Sequence, residues 1–218
     1  LTGKVNPSGK LSDTIAYDLE DYPSMDDFGN KDTLIYKEDI YVGYRYFETA
    51  AKDRVIYPFG YGLSYTEFNQ DILSFAEDED SLNVEVEVRN TGDQAGKEVV
   101  QVYASKPLGK LGKAARTLEV FAKTNLLELG ESQKLSLSFP KKQLASYDDS
   151  GITGHKSSYV LEAGEYKIYA GSDVRNSELA GSFEIKSLQV IEELEEACAP
   201  VESFERLKVE PDGTMAKE

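Results

Sequence analysis

Leu82, Val84, Val86 and Val88 alternate with Asn83, Glu85, Glu87 and Arg89. A strict period of two of this kind fits a strand with one buried face, and it sets the grammar for the chain around it. Asn90-Thr91-Gly92-Asp93 closes that strand with a turn. A second strand is expected over Glu98 to Ser105, with Val100, Val102 and Ala104 on one face, and a third over Leu118 to Lys123. Lys134 to Phe139 alternates again, after a turn at Glu128-Leu129-Gly130-Glu131. Lys141 to Tyr147 reads as a short helical turn, and strands return at Tyr166 to Gly171 and Gly181 to Ile185. Short strands separated by turns about every ten residues point to a mainly β fold of the immunoglobulin- or fibronectin type III-like sandwich class.

The flanking segments follow other rules. Residues 1 to 35 have no strong period. Asn6-Pro7-Ser8-Gly9 is a turn, Leu11 to Ile15 a short extended piece, and Asp18 to Asp32 a loop. Such a segment needs a surface to lie on. Between Tyr36 and Phe68 the chain concentrates Tyr36, Tyr41, Tyr44, Tyr46, Tyr57, Tyr61 and Tyr65, half of its 14 tyrosines. Ile40 to Phe47 fits a short strand or a helix start. Beyond the sandwich, Leu188, Val190, Ile191, Leu194, Ala197 and Cys198 recur at helical spacing until Pro200, which predicts a helix with Cys198 buried on its apolar side, followed by a linker through Pro211-Asp212-Gly213. The divisions expected are 1–67, 68–187 for the sandwich, and 188–218 for helix and linker.

Composition excludes several functions. A formal net charge of −16 argues against nucleic acid and against an anionic membrane surface as partner. One cysteine and one histidine, His155, give no ligand set for zinc, and no metal or cofactor is expected. A single cysteine permits no internal disulfide, which favours a reducing compartment such as a bacterial cytoplasm over a secreted location. No apolar run approaches membrane-spanning length. Leu1 is not an initiator methionine, so a piece of a longer protein is expected.

The tyrosine stretch has two readings. One is an aromatic loop packed between two domains. The other is the wall of a sugar site, where flat rings stack on pyranose faces. Arg45, flanked by Tyr44 and Tyr46, suits either an interface or a ring-stacked guanidinium. Gly60-Tyr61-Gly62 is a shaped turn. It lacks the third glycine and the strand–turn–helix setting of a dinucleotide site.

Asn6-Pro7-Ser8-Gly9-Lys10-Leu11, Ile40-Tyr41-Val42-Gly43-Tyr44-Arg45-Tyr46 and above all Tyr57-Pro58-Phe59-Gly60-Tyr61-Gly62-Leu63-Ser64-Tyr65-Thr66 resemble the close of the second domain of glycoside hydrolase family 3, best known for β-glucosidases. Gly96 to Tyr103 and Leu127 to Ser132 resemble its fibronectin type III-like domain. The resemblance covers about residues 1–187. It implies that 1–67 is the irregular end of an α/β sandwich domain, and that the parent is a retaining enzyme acting on β-glucosides or oligosaccharides. Retention requires two carboxyl groups roughly 5 Å apart. The family's nucleophile lies in a barrel domain, and its acid/base lies upstream in the α/β domain. Neither motif occurs here, so no catalytic residue carries over; Asp13, Glu38, Asp39 and Glu48 read as caps and surface charges.

What the resemblance does imply is a pocket wall near the barrel, with Tyr44, Arg45, Tyr46 and Tyr57 as candidate substrate-binding residues. The residues after Leu11, together with the thirty that follow the sandwich, resemble a subgroup in which the barrel comes last. The alternative function is a non-catalytic carbohydrate-binding or structural β-sandwich module.

Overall fold

A computed structural model describes residues 3–210 and 214–217. Leu1 and the Pro211-Asp212-Gly213 part of the expected linker lie outside the described residues. In chain order the strands are β1 (Ile15–Ala16), β2 (Val55–Tyr57), β3 (Phe68–Glu77), β4 (Ser81–Asn90), β5 (Val99–Ser105), β6 (Thr117–Lys123), β7 (Ser132–Pro140), β8 (Ser146–Asp148), β9 (Ser158–Leu161), β10 (Gly164–Gly171), β11 (Ser177–Ile185), β12 (Gln189–Glu193), β13 (Leu207–Val209) and β14 (Met215–Lys217). One α-helix, α1 (Tyr44–Ala50), precedes β2.

The sandwich is built from a three-stranded sheet, β3-β4-β7, and a four-stranded sheet, β11-β10-β5-β6, with antiparallel pairing throughout. The alternation seen in sequence is the register: Val84 lies opposite Leu137 and Val86 opposite Leu135, and all four are buried. These side chains share one core with Val100 and Val102 of β5 and Ile168 of β10. Each fully buried aliphatic side chain of this size contributes about 1.5–3 kcal/mol.

β5 differs from its neighbours because it is buried from Val99 through Ala104, on both faces. Val100, Val102 and Ala104 face the core as the sequence indicates. The other face, Val99, Gln101 and Tyr103, is covered as well. Tyr103 donates its hydroxyl proton to Gln101 Oε1 at 2.7 Å, and Gln101 Nε2 donates to the carbonyls of Ser172 (2.6 Å) and Gly60 (3.3 Å). Gly60 has φ +82°, and a Cβ there would sit 2.5 Å from Gln101 Oε1, so only glycine fits this contact. The tyrosine-rich stretch therefore lies on the outer face of the four-stranded sheet.

Its handover to the sandwich is knotted by two buried or half-buried asparagines. Asn6 Oδ1 accepts from Ser64 Oγ (3.0 Å) and Tyr65 N–H (2.8 Å), while its amide donates to Ala95 O. Asn90, with no exposed surface, accepts from Thr66 Oγ1 and donates to Gln94 O and Leu127 O.

Four expectations need correction. Residues 188–198 are not helical: β12 pairs antiparallel with β9, with Gln189 opposite Leu161 and Val190 opposite Val160, and completes the sheet β12-β9-β8. The apolar spacing fits either element over so few residues. β-Branched Val190 and Ile191 and the available edge of β9 decide for a strand. Cys198 is consequently exposed rather than buried. The segment beyond it is not only linker, because β13 and β14 form a hairpin. Val209 packs with Tyr41 and Ala114, and Leu207 N–H donates to Lys37 O at 2.7 Å. The fourth correction is Glu48, which is buried in α1 rather than a surface charge. Asp18 to Asp32, expected as loop, contains two 3-10 turns, Leu19–Asp21 and Pro23–Asp27.

Candidate functional site

Gly43 turns the chain into α1 at φ +56°. Tyr44, Arg45 and Tyr46 then follow one another around the helix about 100° apart and cannot share a direction. Tyr44 points at the sandwich. Its ring stacks on Phe59 with centroids 4.3 Å apart, meets Tyr103 edge-on, and its hydroxyl accepts the N–H of Leu118 at 2.8 Å. Tyr46 packs edge-on against Phe47, between a small core of Ala16, Phe47, Ala51 and Val55 and the Tyr41–Val209 cluster. Arg45 is exposed and faces a cleft. Tyr57 stands apart on β2, exposed and tilted against Tyr61 at 5.1 Å. Of the four candidates, α1 groups the first three by position, and none of those meets Tyr57.

The electrostatics of the seam centre on Glu48. Arg175, in the turn after β10, donates Nε–H to Glu48 Oε1 at 2.8 Å and an Nη2 proton to Lys52 O at 2.8 Å. The Arg175 turn is itself fixed by Asp173, which accepts from the N–H groups of Arg175 and Asn176. Burial, with Tyr44, Asp173 and Glu48 nearby, pushes the Tyr103 hydroxyl above the ordinary phenol range, which keeps it protonated as the donor to Gln101 Oε1.

The cleft has a volume of about 680 Å³ and lies between α1, the β5–β6 connection, β8 and the β13 strand. Lys113 pairs with Glu162 at 2.7 Å, both side chains buried. Glu162 also accepts the N–H of Lys110 at 2.6 Å. Gly109, at φ +55°, brings the backbone so close that a Cβ would collide with the Glu162 carboxylate. Burial pulls the Lys113 amine below its ordinary range, against the opposing effect of Glu162. Lys106 is lowered too, by burial; Glu119 opposes this, while Lys113 and Arg45 add to it. Across the cleft Arg206 bridges two carboxylates, Asp149 by both of its Nη atoms and Asp39 at 3.3 Å. Burial raises the Asp39 carboxyl, whereas the Arg206 hydrogen bonds lower Asp149. A second cleft of about 580 Å³ is lined by Tyr61, Arg175 and the Lys10–Glu98 pair.

These carboxylates are committed to structure. Glu48 is held by Arg175, Asp39 and Asp149 by Arg206, and Asp13 Oδ1 accepts the N–H of Thr14. None of these four carboxylates is left released as one member of a nucleophile and acid/base pair. Among the described residues no cluster of His, Cys, Asp or Glu could hold a metal ion, and no helix is long and apolar enough to cross a membrane. Lys106, Lys113 and Glu162 were not legible as site residues, since no local pattern marks partners 49 positions apart.

Comparison with known proteins places this architecture. Residues 98–174 match the family described as "Fibronectin type III-like domain". A β-glucosidase of Ruminococcus albus is 55% identical over 207 residues, which is 95% of this chain and 22% of the relative. The structure of a β-glucosidase from Paenibacillus barengoltzii superposes with a TM-score of 0.95 at 51% identity, covering 99% of this chain and 25% of that one. A GH3 β-glucosidase from Bifidobacterium adolescentis gives a TM-score of 0.72 at 32% identity over 85% of this chain and 26% of its own. The chain thus spans about a quarter of the length of the relatives it matches, and it belongs to glycoside hydrolase family 3.

Proposed function

We propose that this chain is the part of a retaining β-glucosidase-type hydrolase that ends the α/β sandwich domain (residues 1–67) and supplies the fibronectin type III-like domain (68–187). Residues 188–218 lead toward the barrel of the same polypeptide. Its task is to hold the tyrosine-rich stretch rigidly on β5 and present it to that barrel. The observation that carries this reading is the uncovered apolar surface of the first segment. Tyr17, Leu19, Phe28, Tyr36 and Leu63 are each more than 60% exposed, on a segment whose own core has four buried residues. Surfaces of this kind mark interfaces.

In this reading Tyr57, steadied by Tyr61, forms the pocket rim for a β-glucoside. Tyr44 and Tyr46 position α1, and Arg45 faces the neighbouring cleft. The catalytic carboxylates come from the remainder of the enzyme.

A non-catalytic sugar-binding module is the second reading, favoured by one observation. Tyr147 and Tyr159 are paired across β8 and β9 and are each 39% exposed. Titrating the chain with neutral cello-oligosaccharides while following tyrosine fluorescence separates the two. The scaffold reading expects no saturable change at millimolar sugar. A saturable change selects the binding module.

A further inference from the structure

We propose that the cleft between α1 and the β13 strand binds a small anionic sugar, a hexose carrying one phosphate or one carboxylate. Its lining departs from the rest of the molecule. Arg45, Lys106, Lys110, Lys113, Arg206 and Lys208 line it against Asp39, Glu119 and Asp149, six cations to three anions, in a chain of net charge −16. Once Glu162, which neutralises Lys113 directly behind the lining, is counted, an excess of two positive charges remains, and inside a strongly acidic protein it concentrates anions at that place.

The internal pairings leave the excess in one corner. Arg206 holds Asp39 and Asp149, and Lys113 holds Glu162. Glu119 is shared out already, with Oε1 accepting from the Thr117 hydroxyl and Oε2 from Gln143 Nε2 at 3.0 Å. Lys106 Nζ reaches Glu119 only at 4.0 Å, although its side chain is 12% exposed, and it makes no hydrogen bond among the described residues. Arg45 has no ion pair among the described residues. A buried ammonium with unfilled donors next to a guanidinium is an incomplete anion site, and a phosphate or carboxylate completes it through charge-assisted hydrogen bonds.

The opposite wall suits a sugar ring. Tyr147 and Tyr159, with centroids 5.2 Å apart and planes at 53°, line the same cleft and leave their faces partly open. The flat C–H face of a pyranose packs on such rings. The volume, about 680 Å³, is of the size that small-ligand sites occupy.

The test is a calorimetric titration of the 218-residue chain with glucose 6-phosphate, glucuronate, glucose and inorganic phosphate, with tyrosine fluorescence followed in parallel. At least one of the two charged hexoses is expected to bind saturably and to perturb tyrosine emission. Their ratio tells phosphate from carboxylate chemistry. Glucose and free phosphate are each expected to bind about tenfold more weakly or not at all, since each lacks half of the recognition. Arg45→Gln, on an exposed position, is expected to weaken the charged hexose about tenfold, as is Lys106→Met. Tyr159→Ala is expected to weaken it while leaving free phosphate unchanged. Thermal melts establish that each variant is folded. Glucose or phosphate binding as tightly as the charged hexose overturns the proposal. So does absence of binding by both charged hexoses at millimolar concentration, or indifference to Arg45→Gln. A response to anionic hexose leaves the scaffold reading untouched, because that reading is tested with neutral oligosaccharides.

Discussion

Lys113→Met is expected to destabilise the chain by about 3–5 kcal/mol, the largest single effect of any ion-pair change among the described residues. The Lys113–Glu162 pair is buried on both sides, with side-chain exposures of 5% and 6%. Two charges taken out of water gain little over a well-packed apolar pair. Removing one partner, however, leaves the other charged and desolvated. Glu162 cannot move to find water, because its oxygens also accept the N–H groups of Lys110 and Leu111 and Gly109 is pressed against it. Urea unfolding followed by circular dichroism measures the loss. Adding Glu162→Gln to Lys113→Met is expected to recover more than half of it, since the buried charge disappears while an amide oxygen still accepts a backbone N–H. A single variant that costs under about 1 kcal/mol would show that water reaches the pair.

Arg175→Ala is expected to act next most strongly, at about 2–3 kcal/mol, and in a different place. Glu48 is buried, whereas Arg175 is a third exposed, so the cost lies in stranding Glu48. Arg175 also ties Lys52 O, and so fastens α1 and the turn behind it to the sandwich. Loss of this clasp is expected to free the first segment before the sandwich itself opens. The first segment has the smaller core, and local stability follows buried contacts. Limited proteolysis with mass spectrometry reads this directly: cleavage within residues 3–67 accelerates in Arg175→Ala while 68–187 persists. Cleavage that begins in the sandwich would contradict the clasp.

How much of this was legible depends on whether the determinant was local. The alternation of β4 and β7 is written residue by residue, so the sandwich and its inward face follow from sequence. In β5 only the core-facing side was legible. Burial of Val99, Gln101 and Tyr103 comes from a segment some forty residues upstream that lies across it. The Tyr57 to Thr66 string identified the family and the seam, and the structure gives its physical basis: Gly60 against Gln101, and Ser64 and Tyr65 against Asn6.

Residues 188–198 were misread because a short apolar pattern fits both periods, and the edge of β9 that decides between them is invisible in the local sequence. Glu48 and Glu162 look like ordinary surface glutamates in sequence. Only their distant partners, Arg175 and Lys113, make them buried and structural.

The division of labour between this chain and the rest of a family 3 enzyme is tested most directly by incubating the purified 218 residues with an aryl β-glucoside and following aryl alcohol release. With Glu48, Asp39 and Asp149 committed to arginines and no catalytic pair among the described residues, release is expected to equal the protein-free blank at every pH between 4 and 8 (roughly the range over which glycosidase carboxyl pairs titrate). Saturable turnover that co-purifies with the chain would contradict it.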